Sequence, residues 1–246
     1  MKSTKAGLTC RLRLRHTAAM IKLIFLCRRR ADLAHDQYVE RLLAGHVPLA
    51  LRHHPTLRKY VVNIVDASPE GWPALDSIGE LSFDSLDDFH GRLYDSEAGR
   101  RVIEADVRGF MGGADAYVTT ERVQRSTPRA TPLGQQSPGV KLICPVVRRA
   151  NLSHTDFVAH WQTRHVPLAL VHHPGMTRYV TDIVDERLSP TGEPLDGIAE
   201  LYFPSLDVLP RGMFDAPAGE QIIRDDIARF IGRTAAYRVA EYVQRE

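Results

Sequence analysis

The chain has 246 residues, of which 43% are hydrophobic and 25% are charged, and its formal net charge is +2 at pH 7. This composition is typical of a soluble globular protein, and so small a charge, mixed in sign along the chain, gives no reason to expect a nucleic-acid partner. No stretch reaches the roughly 18 uninterrupted apolar residues that a membrane span requires, so no membrane partner is expected either.

The cysteines and the N-terminal segment indicate the compartment. Cys10, Cys27 and Cys144 are odd in number and form no CxxC motif, which argues against a disulfide framework or a zinc site and favours a cytoplasmic location. Residues 1–19 are basic and contain no acidic residue. Such a start is compatible with a transit peptide, but a strand-like run follows Met20 directly, so we expect 1–19 to be an extended or disordered tail.

The rest of the chain is a tandem repeat. With a shift of 119 residues, positions 46–55 and 165–174 are identical at nine of ten places, and after one inserted residue the shift becomes 120. Residues 126–139, which contain prolines and glycines and lack apolar periodicity, are typical of a linker. We therefore predict a first repeat over 20–125 and a second over 140–246.

Each repeat begins with a predicted strand and helix. The apolar runs 21–27 and 140–147 predict buried strands, and Pro145 in the second run would suit an edge or bulge position. In the following helix, Ser153 and Asp156 fit a capping box, and Pro48 and Pro167 are expected to end the helix or to begin a new turn. Residues four apart share one face of this helix: Tyr38, Leu42 and His46 in the first repeat, and Phe157, Trp161 and His165 in the second.

Three further strands and a second helix complete each repeat. Runs of β-branched residues and helical spacing place strands at 60–65, 78–83 and 117–123, a helix at 97–111, and their counterparts at 179–184, 198–203, 237–243 and 217–231. The order βαββαβ is that of the ferredoxin-like unit. Its sheet leaves one apolar face bare. We therefore predict an α+β fold in which two ferredoxin-like repeats pack sheet-on-sheet as one intramolecular α+β barrel, with a cavity between sheet and helices in each half.

These residues resemble the EthD family of the dimeric α+β barrel superfamily. The second repeat carries the pattern at Arg148, Arg149, Leu152, Ser153, Phe157, Trp161, His165, Pro167, Leu168, Tyr179, Ile198, Ala199, Glu200, Leu201 and Phe203. The first repeat departs from it at Leu42, where the pattern has Trp, and at Gly79, where it has Ala. The resemblance implies a barrel that two chains usually build and that one chain supplies here, as a monomer with an internal pseudo-dimer; further homo-oligomerisation stays open.

The resemblance also implies chemistry by a His and a Tyr that line the cavity. His46 and His165 are the candidate acid–base residues, since histidine titrates near neutral pH; the alternative is a histidine that caps the helix end. Tyr60 and Tyr179 could each donate a hydrogen bond to a developing oxyanion, or could be core tyrosines. Candidate substrate-binding residues are Phe157 and Trp161 in the second repeat and Tyr38 and Leu42 in the first, with Trp161 as a cavity wall for a flat apolar ligand.

No cofactor or metal is expected. The sequence lacks HExxH, GxGxxG and GxSxG, and the paired histidines His53-His54 and His172-His173 point about 100° apart on a helix, which disfavours one shared metal. Related haem peroxidases carry Gly-x-x-Asp-Gly, whereas residues 192–197 read GEPLDG, with one residue too many.

Two functions remain open from the sequence. The first is an EthD-like enzyme that uses His and Tyr on an apolar, aromatic or polyketide-like small molecule, as a cyclase, decarboxylase, isomerase or cofactor-free oxygenase. The second is a non-catalytic binding or accessory protein of a degradative or biosynthetic pathway. Because only the second repeat keeps the Trp, the sequence favours His165 over His46 if a single site works.

Overall fold

A computed structural model describes residues 20–246. The N-terminal segment 1–19, interpreted above as a tail, lies outside this range. Among the described helices, none has both the length and the apolar character that crossing a membrane demands.

Both repeats follow the same order of elements. The first consists of β1 (Ile21–Arg29), α1 (His35–Glu40), a π-helical turn (Arg41–His46), α2 (Val47–His53), β2 (Lys59–Ala67), β3 (Ser77–Phe83), α3 (Leu86–His90), α4 (Glu97–Phe110) and β4 (Met111–Arg125). The second consists of β5 (Val140–Arg148), α5 (His154–His160), a π-helical turn (Trp161–His165), α6 (Val166–His172), β6 (Arg178–Arg187), β7 (Gly197–Phe203), α7 (Val208–Gly212), α8 (Pro217–Phe230), β8 (Ile231–Thr234) and β9 (Tyr237–Arg245). The short helices α3 and α7 were not predicted from the sequence.

The strands form one closed antiparallel barrel. The first repeat contributes the order β4-β1-β3-β2 and the second β9-β5-β7-β6. Hydrogen bonds between β2 and β9 and between β4 and β6 join the two sets at both edges. The repeats are thus continuous around an eight-stranded barrel and are more closely joined than two stacked sheets, because closure pairs every edge strand.

The helix after the first strand does not end at its proline. In each repeat it passes through a π-helical turn and continues for two more turns, to His53 and to His172. Proline lacks an N–H and clashes with the carbonyl four residues earlier. The extra residue of a π-turn, which ends one residue short of Pro48 and of Pro167, accommodates this clash and lets the helix go on.

Pro145 has a visible effect on the barrel. In the first repeat, β4 is a single strand along β1, but in the second its counterpart is divided into β8 and β9, which pair with β5 on either side of Cys144 and Pro145. A proline cannot donate to the ladder, so the neighbouring strand is interrupted beside it.

The barrel interior holds a buried ionic cluster. Lys22 and Lys141 occupy equivalent positions in β1 and β5, and both are about 2% exposed. Lys22 Nζ lies 2.8 Å from Glu80, 3.0 Å from Glu121 and 3.1 Å from Asp182, and it also contacts Glu200. Lys141 Nζ contacts Glu80, lies 2.7 Å from Glu200 and is 3.1 Å from Glu241. Each buried ammonium is therefore neutralised by carboxylates of both repeats, as a buried charge requires.

Candidate active site

His46 ends the π-helical turn of the first repeat and faces α4. Its Nδ1 lies 2.9 Å from Asp106 Oδ2, and its ring packs on Phe110 with 5.4 Å between centroids. A carboxylate accepts hydrogen bonds, so Nδ1 carries the proton and Nε2 keeps its lone pair. Burial lowers the pKa of His46 below its usual value, although Asp106 acts in the opposite direction. The imidazole is therefore mainly neutral at pH 7 and can accept a proton.

A cavity of about 300 Å³ lies between the helices and the sheet of the first repeat. Its wall is mostly apolar. The side chains that bring a polar or titratable group to it are Cys27, His46, His54, Tyr60, Ser77 and Tyr94. Leu42, predicted to bind substrate, also lines it, whereas Tyr38 is fully buried behind the wall. An apolar enclosure with a few polar groups is the usual form of a small-molecule site.

Tyr60 brings a phenol to this cavity. Its hydroxyl forms no hydrogen bond with any residue between 20 and 246, and burial raises its pKa, so the group stays protonated and can donate. Behind the wall, the Tyr38 hydroxyl lies 2.7 Å from Ser77 Oγ. Burial raises the pKa of Cys27 to about 12, so its thiol is not a ready nucleophile at neutral pH.

The second half differs from the expectation of a cavity in each half. Trp161 is 1% exposed, and its ring lies so close to Gly197 that a Cβ at that position would overlap it. The indole packs in one apolar cluster with Val146, Ala199 and Leu209, which stand where the first repeat has cavity-lining residues. The Trp161 ring thus occupies the volume that is open in the first repeat, and the predicted wall residue is a filling residue.

The other candidates of the second repeat surround this ring. Trp161 Nε1 donates to the Tyr179 hydroxyl at 3.1 Å, and the Phe157 ring packs on the indole with 5.4 Å between centroids. His165 Nδ1 lies 3.0 Å from Asp226 Oδ2, as His46 does from Asp106. The structure therefore brings together the predicted His, Tyr and aromatic residues in the second repeat, but around a packed core.

Asp226 has a second histidine partner. His160 Nε2 lies 2.9 Å from Asp226 Oδ1, whereas the first repeat has Arg41 at this position. Although burial acts to raise it, the hydrogen bonds from His165 and His160 lower the pKa of Asp226. The carboxylate is ionised and shared in the second repeat, while Asp106 serves His46 alone among the histidines of the described chain.

The remaining repeated histidines make the same contacts in both halves. His53 lies 3.0 Å from Asp95, and His172 lies 3.0 Å from Asp215. The next residues bond to backbone carbonyls, His54 to Leu93 at 3.1 Å and His173 to Met213. His35 and His154 lie 2.9 Å and 3.3 Å from the aspartates that immediately precede the third strand of each repeat, Asp76 and Asp196. These contacts hold helix ends to neighbouring loops, which explains the repeated HHP motif structurally.

One group of carboxylates has the spacing of a metal site. Ligand oxygens of Glu80, Glu121 and Glu200 lie within 4.8 Å of one another inside the barrel. The Lys22 ammonium contacts all three and supplies the positive charge at that point. The donor set therefore fits the lysine it already holds, and it does not call for a metal ion.

Asp106 and Asp226 were not predicted from the sequence as partners of the histidines. The signal was available, because an aspartate stands on the otherwise apolar face of the second predicted helix in both repeats, four residues before Phe110 and Phe230. An ionisable residue on a core-facing stripe needs a partner, and His46 and His165 were the partners at hand.

Solved structures of similar fold are distant in sequence. An anthrone oxidase-like protein is 9% identical, with 93% of this chain and 94% of that chain covered and a TM-score of 0.61. A provisionally assigned monooxygenase from Fusobacterium nucleatum is 6% identical, with 93% and 95% covered and a TM-score of 0.59. A mutant chlorite dismutase of Candidatus Nitrospira defluvii is 12% identical, with 91% of each chain covered and a TM-score of 0.51. At these identities the likeness shows the fold alone.

The family is shown by sequence. A comparison with curated proteins finds no relative. The model of the EthD domain matches residues 30–114 and again residues 149–234, once in each repeat and over more than half of the chain. With two EthD domains in tandem, forming the two halves of one barrel, this chain belongs to the EthD family.

Proposed function

We propose that the chain is a small-molecule enzyme whose working site is the cavity of the first repeat. Its substrate is an apolar, aromatic or polyketide-like molecule with an acidic C–H or O–H beside a carbonyl or ring. The observation that carries this proposal is the His46–Asp106 pair at the wall of an apolar cavity that also receives the Tyr60 hydroxyl.

The chemistry follows from the protonation states. Neutral His46 accepts a proton at Nε2, and Asp106 stabilises the imidazolium that forms. The Tyr60 phenol donates a hydrogen bond to the enolate or phenolate oxygen that develops. Proton abstraction of this kind serves cyclisation, decarboxylation, isomerisation and cofactor-free oxygenation alike, and all four stay within the proposal.

The second repeat supplies the matched control for the test. Turnover of a panel of aromatic β-keto compounds is measured for the wild type, His46→Gln and His165→Gln. We expect His46→Gln to lose roughly 100-fold or more in turnover, as removal of a general base does. His165→Gln should keep near wild-type turnover, because its histidine faces a filled core. Equal losses in both variants would contradict the assignment, and a wild type that binds these compounds but converts none would favour the carrier alternative.

We further propose that each half is a ferredoxin-like unit joined by residues 126–139, and that the chain works as a monomer whose second half replaces a partner subunit. The strand orders β4-β1-β3-β2 and β9-β5-β7-β6 support the first statement. The pairing of β2 with β9 and of β4 with β6 supports the second. Light scattering should give the mass of one chain, and a mass of two chains would overturn the monomer.

A further inference from the structure

Three positions change together between the repeats. The first repeat has Tyr38, Leu42 and Ser77 where the second has Phe157, Trp161 and Gly197. In the first, the Tyr38 hydroxyl bonds to Ser77 Oγ at 2.7 Å, and the shorter Leu42 leaves the cavity open. In the second, the missing side chain of Gly197 makes room for the indole. These exchanges account for the difference between an open and a filled site.

The filled site of the second repeat shows the shape of a group that the open cavity of the first repeat can hold. The Trp161 ring is a flat bicyclic aromatic group held in an apolar cluster, and its N–H donates to the Tyr179 hydroxyl at 3.1 Å. Tyr60 stands at the position of Tyr179, and its hydroxyl has no indole donor because the first repeat has Leu42 where the second has Trp161. The first repeat therefore has similar surrounding residues but no aromatic side chain in the place of the indole.

We infer that the first-repeat cavity binds a planar bicyclic aromatic molecule whose O–H or N–H meets the Tyr60 hydroxyl, and that Trp161 is the internal substitute for this ligand in the second repeat. The inference rests on the proposed function in taking this cavity as the site. It narrows the substrate to hydroxylated bicyclic aromatics and related ring systems. It also predicts a stoichiometry of one binding site per chain.

The first arm of the test measures binding without turnover. The probes are 2-naphthol and 2-methoxynaphthalene, which share the ring system but differ in the O–H donor, and 2-decanone, which is apolar but not planar. Equilibrium titration should give one site for 2-naphthol, with several-fold weaker binding of the methoxy compound, because a hydrogen bond contributes a factor of roughly 2 to 10. Tighter binding of 2-decanone than of 2-naphthol would overturn the inference.

The second arm exchanges the three residues. The filled variant Tyr38→Phe/Leu42→Trp/Ser77→Gly should remain folded by circular dichroism and lose roughly 100-fold or more in 2-naphthol affinity, because the new ring overlaps the ligand. The reverse exchange, Phe157→Tyr/Trp161→Leu/Gly197→Ser, should raise the stoichiometry from one site to two. If the reverse variant does not fold, the filled variant decides alone, and a filled variant that binds like the wild type refutes the inference.

The two proposals fail differently. In one outcome the filled variant loses 2-naphthol binding, but turnover does not depend on His46. This would support the ligand class and contradict the catalytic role of His46. Turnover that depends on His46 but concerns only non-planar substrates would keep the enzyme and remove the ligand class.

Discussion

Replacing Lys22 by Met tests whether the ionic cluster holds the barrel together. Lys22 is buried, and four carboxylates from both repeats contact its ammonium. Removing one partner of a buried ion pair typically costs about 3–5 kcal/mol. Here the carboxylates stay buried, and of the two lysines only Lys141, which contacts Glu80 and Glu200, remains to compensate them. We expect a loss of this size in the free energy of unfolding at pH 7, measured by urea denaturation followed by circular dichroism.

The stability difference between the wild type and Lys22→Met should also depend on pH. Burial and Glu200 act to raise the pKa of Glu80, but Lys141 and Lys22 outweigh them and lower it to about 2. An unfolded glutamate titrates near 4.3, so ionised Glu80 stabilises the wild type at neutral pH, and this contribution is lost as the pH falls from about 4 to 2. Without Lys22 the pKa of Glu80 rises, protonation relieves the repulsion earlier, and the deficit of the variant should shrink between pH 7 and pH 5.

Lys59→Met is the matched control. Lys59 Nζ lies 3.9 Å from Glu121 and its side chain is 23% exposed, so its loss should cost no more than about 1 kcal/mol. A deficit below 1 kcal/mol for Lys22→Met, or a deficit that stays constant down to pH 5, would show that the cluster is not held by the compensation described here.

Two predictions concern the proposed site and use the same turnover assay. Asp106→Asn should lower the turnover rate by roughly 100-fold, because an amide no longer stabilises the imidazolium of His46, while Asp226→Asn should leave the rate near that of the wild type; equal effects would refute the role of Asp106. The rate of the wild type should rise with pH through a midpoint below 6.5, because burial lowers the pKa of His46 and the neutral form is the base; a midpoint above 7 would contradict a buried His46 as the base.

Much of the fold could be predicted because the repeat doubles every signal. Apolar runs and helical spacing recur at one shift, so the strands and long helices are indicated twice. The barrel was predicted from the bare sheet face, but the strand pairing that closes it was not, since this depends on hydrogen bonds between edge strands far apart in sequence, such as Val61 with Val243 and Thr119 with Val184. For Pro48 the sequence left open whether the helix ends or begins a new turn, and the helix in fact continues. The π-turn that precedes this proline was not predicted, because it leaves no apolar signature of its own.

One residue of the candidate site, Trp161, has a role that could not be predicted from the sequence, for a physical reason. The two repeats carry His46 and His165, and Tyr60 and Tyr179, at equivalent positions, but they differ where one has Leu42 and the other Trp161. The sequence favoured the repeat with Trp, on the view that an aromatic residue lines a cavity. Whether a large side chain borders a space or occupies it depends on the residue opposite, and Gly197 decides this for Trp161.

Fusion of the two halves makes this asymmetry possible. A barrel built by two identical chains must keep both sites open or both filled, and an open apolar cavity lowers stability, as deletion of a large core side chain typically costs about 2–5 kcal/mol. In a single chain, Leu42 can leave one cavity for a ligand while the buried Trp161 ring packs into the apolar cluster of the other half. The second half can thereby stabilise the closed barrel that holds the first.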